Sequence, residues 1–145
     1  MHKIINIPSI FMICTLMACS SPLRPNTPTA IPKPQVSEIS VKLDDKFQIV
    51  LDRNSVPAGT VRFVVENTGK KTHELVIEAA DAVDIAFETE GKKAELELEA
   101  GTKGVLEWKL DQPGKYRLAC HLTGNNTDHF EKGMKTELTV TGAKS

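Results

Sequence analysis

The stretch PGKYRLACHLTGNNTDHFEKGMKTELTV, from Pro113 to Val140, carries the most informative pattern in this chain. Within it, Cys120, His129 and Met134 lie on one loop between two segments in which apolar and polar residues alternate. A thiolate, an imidazole and a thioether form the ligand set that copper prefers among first-row metals. Because one loop cannot close such a site alone, a fourth ligand has to come from elsewhere in the chain.

The obvious candidate for the fourth ligand is His73, in the segment FVVENTGKKTHELVI. Each candidate also has an ordinary explanation. An isolated histidine on a polar loop is usually solvated, Met134 alone would more often fill a core, and Cys120 alone would serve as a small buried apolar residue. The four residue types nevertheless occur in the order that one metal site needs. The sequence therefore predicts a single site holding one copper ion.

Strand-like segments follow one another from Val36 onward, separated by turns rich in Gly, Pro and Asn. The predicted strands contain Ile39–Leu43, Phe47–Leu51, Thr60–Glu66, Leu75–Ile77, Ala94–Leu98, Val105–Leu110, Tyr116–Cys120 and Leu138–Val140. Only residues 81–90 have a pattern compatible with a helical turn. Short strands at regular spacing predict an all-β fold, a Greek-key β-sandwich in a single domain.

The N-terminus has the features of a targeting segment. Lys3 precedes an apolar run, Ile4–Ala18, which is too short to span a membrane. The run ends at Cys19 and resembles a bacterial lipoprotein signal, which is cleaved before a cysteine that becomes acylated. Prolines then predict an extended spacer. The predicted divisions are a signal peptide, 1–18; a lipidated cysteine and proline-rich tether, 19–36; and a copper-binding domain, 37–145.

Composition and cysteine count limit the possible functions further. Eighteen Lys and Arg against 19 Asp and Glu leave no basic excess, which argues against nucleic acid as a partner. Nine acidic residues between Glu74 and Glu99 predict either a solvated face or a docking surface for a positively charged redox partner. After processing, Cys120 would be the only thiol in the domain, so no internal disulfide is expected.

Two segments resemble the copper-binding regions of the cupredoxins, the plastocyanin- and azurin-like blue copper proteins. Asn67–Gly69 followed by HELVI from His73 is similar to their first-ligand region, and Pro113–Tyr116 leading to Cys120 and HFEKGM is similar to their C-terminal ligand loop. The resemblance extends from about Phe47 to Thr141. It implies type 1 copper with three equatorial ligands and one axial ligand: His73, Cys120 and His129 in the plane, and Met134 on the axis.

Two features depart from the commonest cupredoxin pattern. Eight residues separate Cys120 from His129, and their polar, turn-prone character predicts a surface loop that leaves the ligands in place. The second feature is His121, directly after the cysteine. Because successive residues of a strand point to opposite faces, His121 is expected to point away from the metal, either outward or bonded to a loop. A role in electron exit or pH sensitivity is the alternative. We also expect Asn67 and Thr68 to hydrogen-bond near His73.

The favoured hypothesis is a monomeric one-electron carrier that exchanges electrons with redox partner proteins and is not an enzyme. The alternative is a copper storage or delivery protein for an exported or membrane oxidase. Such proteins tend to use several methionines, whereas the processed chain would keep only Met134. The expected location is the periplasmic face of a bacterial membrane, held by lipid on Cys19. Ser20 favours the outer membrane if the cell has one, and a cell with one membrane would carry the protein on its outer surface.

Overall fold

The computed structural model describes residues 36–82, 84–124 and 126–142, which form thirteen β-strands and, within these ranges, no helix. The strands, in chain order, are β1 (Val36–Asp44), β2 (Gln48–Leu51), β3 (Ser55–Pro57), β4 (Gly59–Asn67), β5 (His73–Ala79), β6 (Glu88–Thr89), β7 (Lys92–Lys93), β8 (Glu95–Leu98), β9 (Lys103–Leu110), β10 (Gly114–Ala119), β11 (Thr123–Gly124), β12 (Thr127–Asp128) and β13 (Lys135–Thr141).

Nine of these strands form two mixed sheets. The first sheet has the order β2-β1-β4-β9, and the second has the order β3-β13-β10-β5-β8. β1 pairs with β4 in parallel, and β13 pairs with β3 in parallel, whereas the other neighbours are antiparallel. The remaining four strands form two short hairpins, β6–β7 and β11–β12.

The two sheets pack face to face because alternate side chains of their strands are apolar and point inward. In β9, for example, Leu106, Trp108 and Leu110 are buried while the residues between them are exposed. Fully buried residues of both sheets, including Phe63 of β4 and Leu118 of β10, belong to one continuous core. The predicted all-β sandwich is therefore confirmed.

Three local expectations differ from the structure. Phe47 was expected to continue a strand, but it lies in a turn with φ of 61°, which the carboxylate of Asp44 stabilises by accepting hydrogen bonds from the amides of Lys46 and Gln48. Residues 81–90 contain a turn and the start of the β6–β7 hairpin instead of a helical turn. The short strand β3 was not predicted, because three residues carry too little periodicity to be recognised.

The predictions for the N-terminal segment lie outside the described residues. They comprise the signal peptide, the acylation of Cys19 and most of the tether. Val36, the last residue assigned to the tether, is instead the first residue of β1. Among the residues that the structure describes, no helix has the length and apolar character needed to cross a membrane.

Truncating a core side chain should test the sandwich. Phe63 is fully buried between the sheets, so Phe63→Ala should lower the free energy of unfolding by about 3–5 kcal/mol, from lost burial and the cavity left behind. Val50→Ala is the control, since half of the Val50 surface is exposed, and it should change the stability by no more than about 0.5 kcal/mol. Equal shifts of the urea midpoint in the two variants would contradict this packing.

Candidate metal centre

Three of the four predicted ligands come together in one buried cluster, formed by His73, Cys120 and His129. The ligand atoms of these three residues all lie within 4.8 Å of one another. Nδ1 of His129 is 3.3 Å from Nδ1 of His73 and 3.3 Å from Sγ of Cys120. His73 and Cys120 are fully buried, and His129 keeps 6% of its surface exposed.

Neighbouring strands of the second sheet position the first two members of the cluster. His73 is the first residue of β5, and Cys120 directly follows the last residue of β10, which pairs with β5. The amide of Glu74 donates to Sγ of Cys120 at 3.5 Å, which connects the two strand ends at the sulfur. The sheet itself therefore sets the separation of the imidazole and the thiol.

A closed turn holds His129 against these strands. The amide of His129 donates to the carbonyl of Leu122 at 3.1 Å, and the amide of Met134 donates to the carbonyl of His129 at 2.9 Å. The amide of Cys120 in turn donates to the carbonyl of Met134 at 3.0 Å. The backbone hydrogen bonds of Met134 thus connect Cys120 to His129, and the Met134 side chain is fully buried. Its role as an axial ligand stays a prediction.

The long interval between Cys120 and His129 leaves the cluster undisturbed because it folds on itself. Thr123 and Gly124 of β11 pair with Thr127 and Asp128 of β12, as expected for a surface loop. Beside this hairpin is an open depression of about 340 Å³ that reaches His129. The side chains that line it are mostly polar: Lys71, Thr72, Glu97, Leu122, Thr123 and His129.

Burial also determines the protonation of the cluster. Desolvation raises the pKa of the Cys120 thiol to about 11. Desolvation, together with the neighbouring His73 ring and the positive charge of Lys71, lowers the pKa of His129. At neutral pH the thiol therefore keeps its proton and the His129 imidazole is neutral. A metal cation would replace the thiol proton, since a bound cation stabilises the thiolate.

The donor set fits copper. Two imidazole nitrogens and one thiol sulfur converge in a buried site, and this combination of nitrogen and sulfur suits copper in both of its oxidation states. The cluster is also the only group of three or more potential ligands of this kind among the described residues.

Asn67 and Thr68 do not make the contacts expected of them. The side-chain amide of Asn67 donates to three backbone carbonyls, those of Lys71, Leu98 and Glu99, and Thr68 Oγ1 donates to the carbonyl of Leu43. Both side chains therefore hold the loop before β5 instead of bonding to His73. The side chain that lies within hydrogen-bond distance of His73 Nε2 is that of Asp45, whose Oδ1 is 3.1 Å away. The sequence offered no signal for this pair, because 28 positions separate its members.

His121 points away from the cluster, as predicted, but not into solvent. Its Nε2 lies 3.3 Å from Oε2 of Glu78, its ring stacks on Phe130 with centroids 4.7 Å apart, and its side chain is only 10% exposed. Its backbone amide donates to Glu74 Oε1 at 2.6 Å. The cysteine and the following histidine thus belong to two different environments.

A buried carboxylate, Glu78, organises the second environment. It is fully buried and accepts a hydrogen bond from Nε of Arg117 at 2.6 Å. The segment after β5 covers it, since the amide of Ile85 donates to Glu78 Oε2 at 3.4 Å. Sequence alternation did not identify Glu78 as buried, because a charged residue on a strand normally indicates a solvated face.

The described residues thus define a two-sheet β-sandwich with a buried cluster of two imidazoles and a thiol at its strand ends. Residues 9–140 match the family described as the cupredoxin-like domain. The chain belongs to that family, and the resemblance inferred from the sequence is confirmed. The match begins upstream of Phe47, inside the segment predicted to be a signal peptide.

Solved structures with the same fold include two auracyanins. One, described as Na-dithionite reduced auracyanin from the photosynthetic bacterium Roseiflexus castenholzii, shares 21% identity, with 73% of this chain and 96% of that chain covered and a TM-score of 0.51. Auracyanin A from Chloroflexus aurantiacus, described as a "blue" copper protein, shares 15% identity, with 74% and 100% covered and a TM-score of 0.54.

A chain in the cryo-EM structure of a heme-copper terminal oxidase dimer is also similar. It shares 16% identity, with 86% of this chain and 78% of that chain covered and a TM-score of 0.53. At these identities the three structures establish the fold. A search of curated proteins found no match.

Removing the buried carboxylate should be costly. In Glu78→Ala, the largely buried side chain of Arg117 would lose its anionic partner, so we expect a loss of about 3–5 kcal/mol in the free energy of unfolding. The control is Glu137→Ala, which breaks the exposed pair with Lys115 (2.9 Å) and should cost no more than about 1 kcal/mol. Chemical denaturation of both variants measures the difference, and comparable losses would count against a structural role for Glu78.

The Cys120 thiol should resist alkylation. With a pKa of about 11, only about one thiol in a thousand is ionised at pH 8, and burial further limits access. In the chelator-treated protein, iodoacetamide should modify Cys120 at least about 100-fold more slowly than in the urea-unfolded chain. The rate should rise about tenfold per pH unit as the thiolate forms. Mass spectrometry of the Cys120 peptide follows the reaction, and equal rates in folded and unfolded chains would refute the prediction.

Proposed function

We propose that this protein is a one-electron carrier with a single type 1 copper ion. His73, Cys120 and His129 would be the equatorial ligands, and Met134 the axial ligand. The observation that carries the proposal is the convergence of two imidazole nitrogens and one thiol sulfur within 4.8 Å in a buried site. Auracyanin A, a "blue" copper protein with the same fold, supports it.

Copper would supply the reversible change between Cu(II) and Cu(I). The protein would supply a rigid compromise between the nitrogen donors that suit Cu(II) and the sulfur donors that suit Cu(I). His73 and Cys120 extend from paired strands, and two backbone hydrogen bonds through Met134 connect Cys120 to His129. Because these contacts limit movement of the donor atoms, little reorganisation would accompany electron transfer.

The exposed edge of His129 is the proposed point of electron exchange. Among the three cluster residues it alone keeps exposed surface, and the depression beside it is lined mostly by polar side chains. A partner protein that docks there would approach within contact distance of the ring. We propose that the protein carries electrons and catalyses no reaction, because four protein ligands would leave no open position on the copper ion for a substrate.

The location proposed for the protein is the periplasmic face of a bacterial membrane, or the outer cell surface if the cell has one membrane. The support is in the sequence: an apolar N-terminal run ends at Cys19 and is followed by a segment with prolines at 22, 25, 28, 32 and 34. Lipid on Cys19 would anchor the chain, and the segment between Cys19 and β1 would extend the domain away from the bilayer. We propose that it works there as a monomer with redox partner proteins.

An optical spectrum tests the proposed function. The full chain, purified in detergent and given Cu(II), should develop an intense visible thiolate-to-copper band that ascorbate bleaches and reoxidation restores. Cys120→Ala should abolish the band because it removes the sulfur donor. His121→Ala is the matched control, since it removes an imidazole outside the cluster, and it should keep the band.

The other outcomes discriminate between functions. Tight binding of Cu(I) without a visible Cu(II) band would replace the carrier proposal with copper delivery. Failure to bind either ion would reject both proposals.

A further inference from the structure

The carboxylate of Asp45 contacts the buried ring of His73 from the side opposite the cluster. Its Oδ1 lies 3.1 Å from His73 Nε2, whereas Nδ1 of the same ring lies 3.3 Å from His129 Nδ1. The ring is fully buried, and the Asp45 side chain is only about one-third exposed. Asp45 belongs to the turn between β1 and β2, in the first sheet, so the contact reaches across from one sheet to the other.

Backbone donors hold this carboxylate in place. The amide of Lys70 donates to Oδ2 at 2.8 Å, and the amide of Lys71 donates to Oδ1 at 3.2 Å. Asp45 therefore connects the β1–β2 turn to the loop that leads into His73. Gly69 leaves the room that the carboxylate occupies, since a Cβ at this glycine would lie 2.9 Å from Cγ of Asp45.

This geometry selects one tautomer of His73. A carboxylate accepts hydrogen bonds and has none to donate when ionised, so Nε2 must carry the proton that joins it to Asp45. Nδ1 then carries the lone pair, and it faces the other two donor atoms of the cluster. A carboxylate behind a histidine ligand also fixes the ring orientation and makes its other nitrogen a stronger donor.

We propose that Asp45 is a positioning residue that holds His73 as an Nδ1 donor and favours Cu(II) over Cu(I) at the site. The second part rests on the proposed function. A nearby negative charge stabilises the more highly charged of two cations, so Asp45 lowers the reduction potential. It does so through His73 and does not bind the metal itself.

Two variants disturb the contact between Asp45 and His73 in different ways. Asp45→Asn removes the charge in a side chain of nearly the same shape. Gly69→Ala keeps the charge but displaces the carboxylate, because the added Cβ would overlap it. The control is Glu131→Gln, which removes an exposed negative charge two residues from His129.

The first measurement uses the full chain treated with a chelator. Nitrogen-15 NMR of the imidazoles should find the His73 proton on Nε2, in slow exchange with water, and Gly69→Ala should weaken its hydrogen bond.

The second measurement uses the copper-loaded chain. Asp45→Asn and Gly69→Ala should weaken Cu(II) binding about 10- to 100-fold and Cu(I) binding less. Each tenfold by which Cu(II) binding weakens more than Cu(I) binding raises the reduction potential by about 59 mV. Glu131→Gln should leave both quantities unchanged.

Several results would overturn the proposal. A wild-type His73 protonated on Nδ1 would refute the tautomer, and an unchanged potential in both variants would refute the effect on copper. If circular dichroism shows that Asp45→Asn is unfolded, the Gly69→Ala variant still tests the effect on copper, and the wild-type nitrogen-15 NMR spectrum still tests the tautomer. A wild-type chain that shows no copper band would overturn the carrier function and the copper part of this proposal, whereas the NMR result independently tests the hydrogen bond.

Discussion

Burial of two imidazoles and a thiol at the ends of apolar strands is the constraint on which this structure depends. Donor groups removed from water need partners, and here the strand ends and the turns provide them. The amide of Glu74 donates a hydrogen bond to the sulfur of Cys120, and Asp45 contacts Nε2 of His73. Backbone hydrogen bonds of Met134 hold the loop that carries His129. The fold thus keeps these groups close together in a site shielded from water.

The sequence predicted much of this arrangement because its main signals are local. Alternation of apolar and polar residues identified the long strands, and the order His73, Cys120, His129 identified the residues that converge. The positions of Asp45 and Glu78 could not be predicted in the same way, because their partners lie on strands far away in the chain. Phe47 was misassigned because the Asp44 turn overrides a period-two pattern that spans only a few residues.

β10 and the two residues that follow it separate two polar systems, because their side chains alternate between the two faces of the sheet. Cys120 faces the cluster, whereas His121 and Arg117 contact Glu78 on the other side of the sheet. The second system contains the ion pair between Arg117 and Glu78. The ring of Phe130 covers it, since this ring stacks on His121 and its centroid lies 5.4 Å from the Arg117 guanidinium carbon. Since Phe130 directly follows His129, one turn contributes a side chain to each system.

The β11–β12 hairpin lies between Cys120 and His129 in the sequence. Its two strands pair with each other and with no other described strand. The backbone bonds that fix the cluster lie outside it, at Leu122, His129 and Met134. Insertions or deletions at its tip therefore leave the donor geometry intact while they reshape the surface next to His129. The length and sequence of this hairpin can therefore vary independently of the residues that form the cluster.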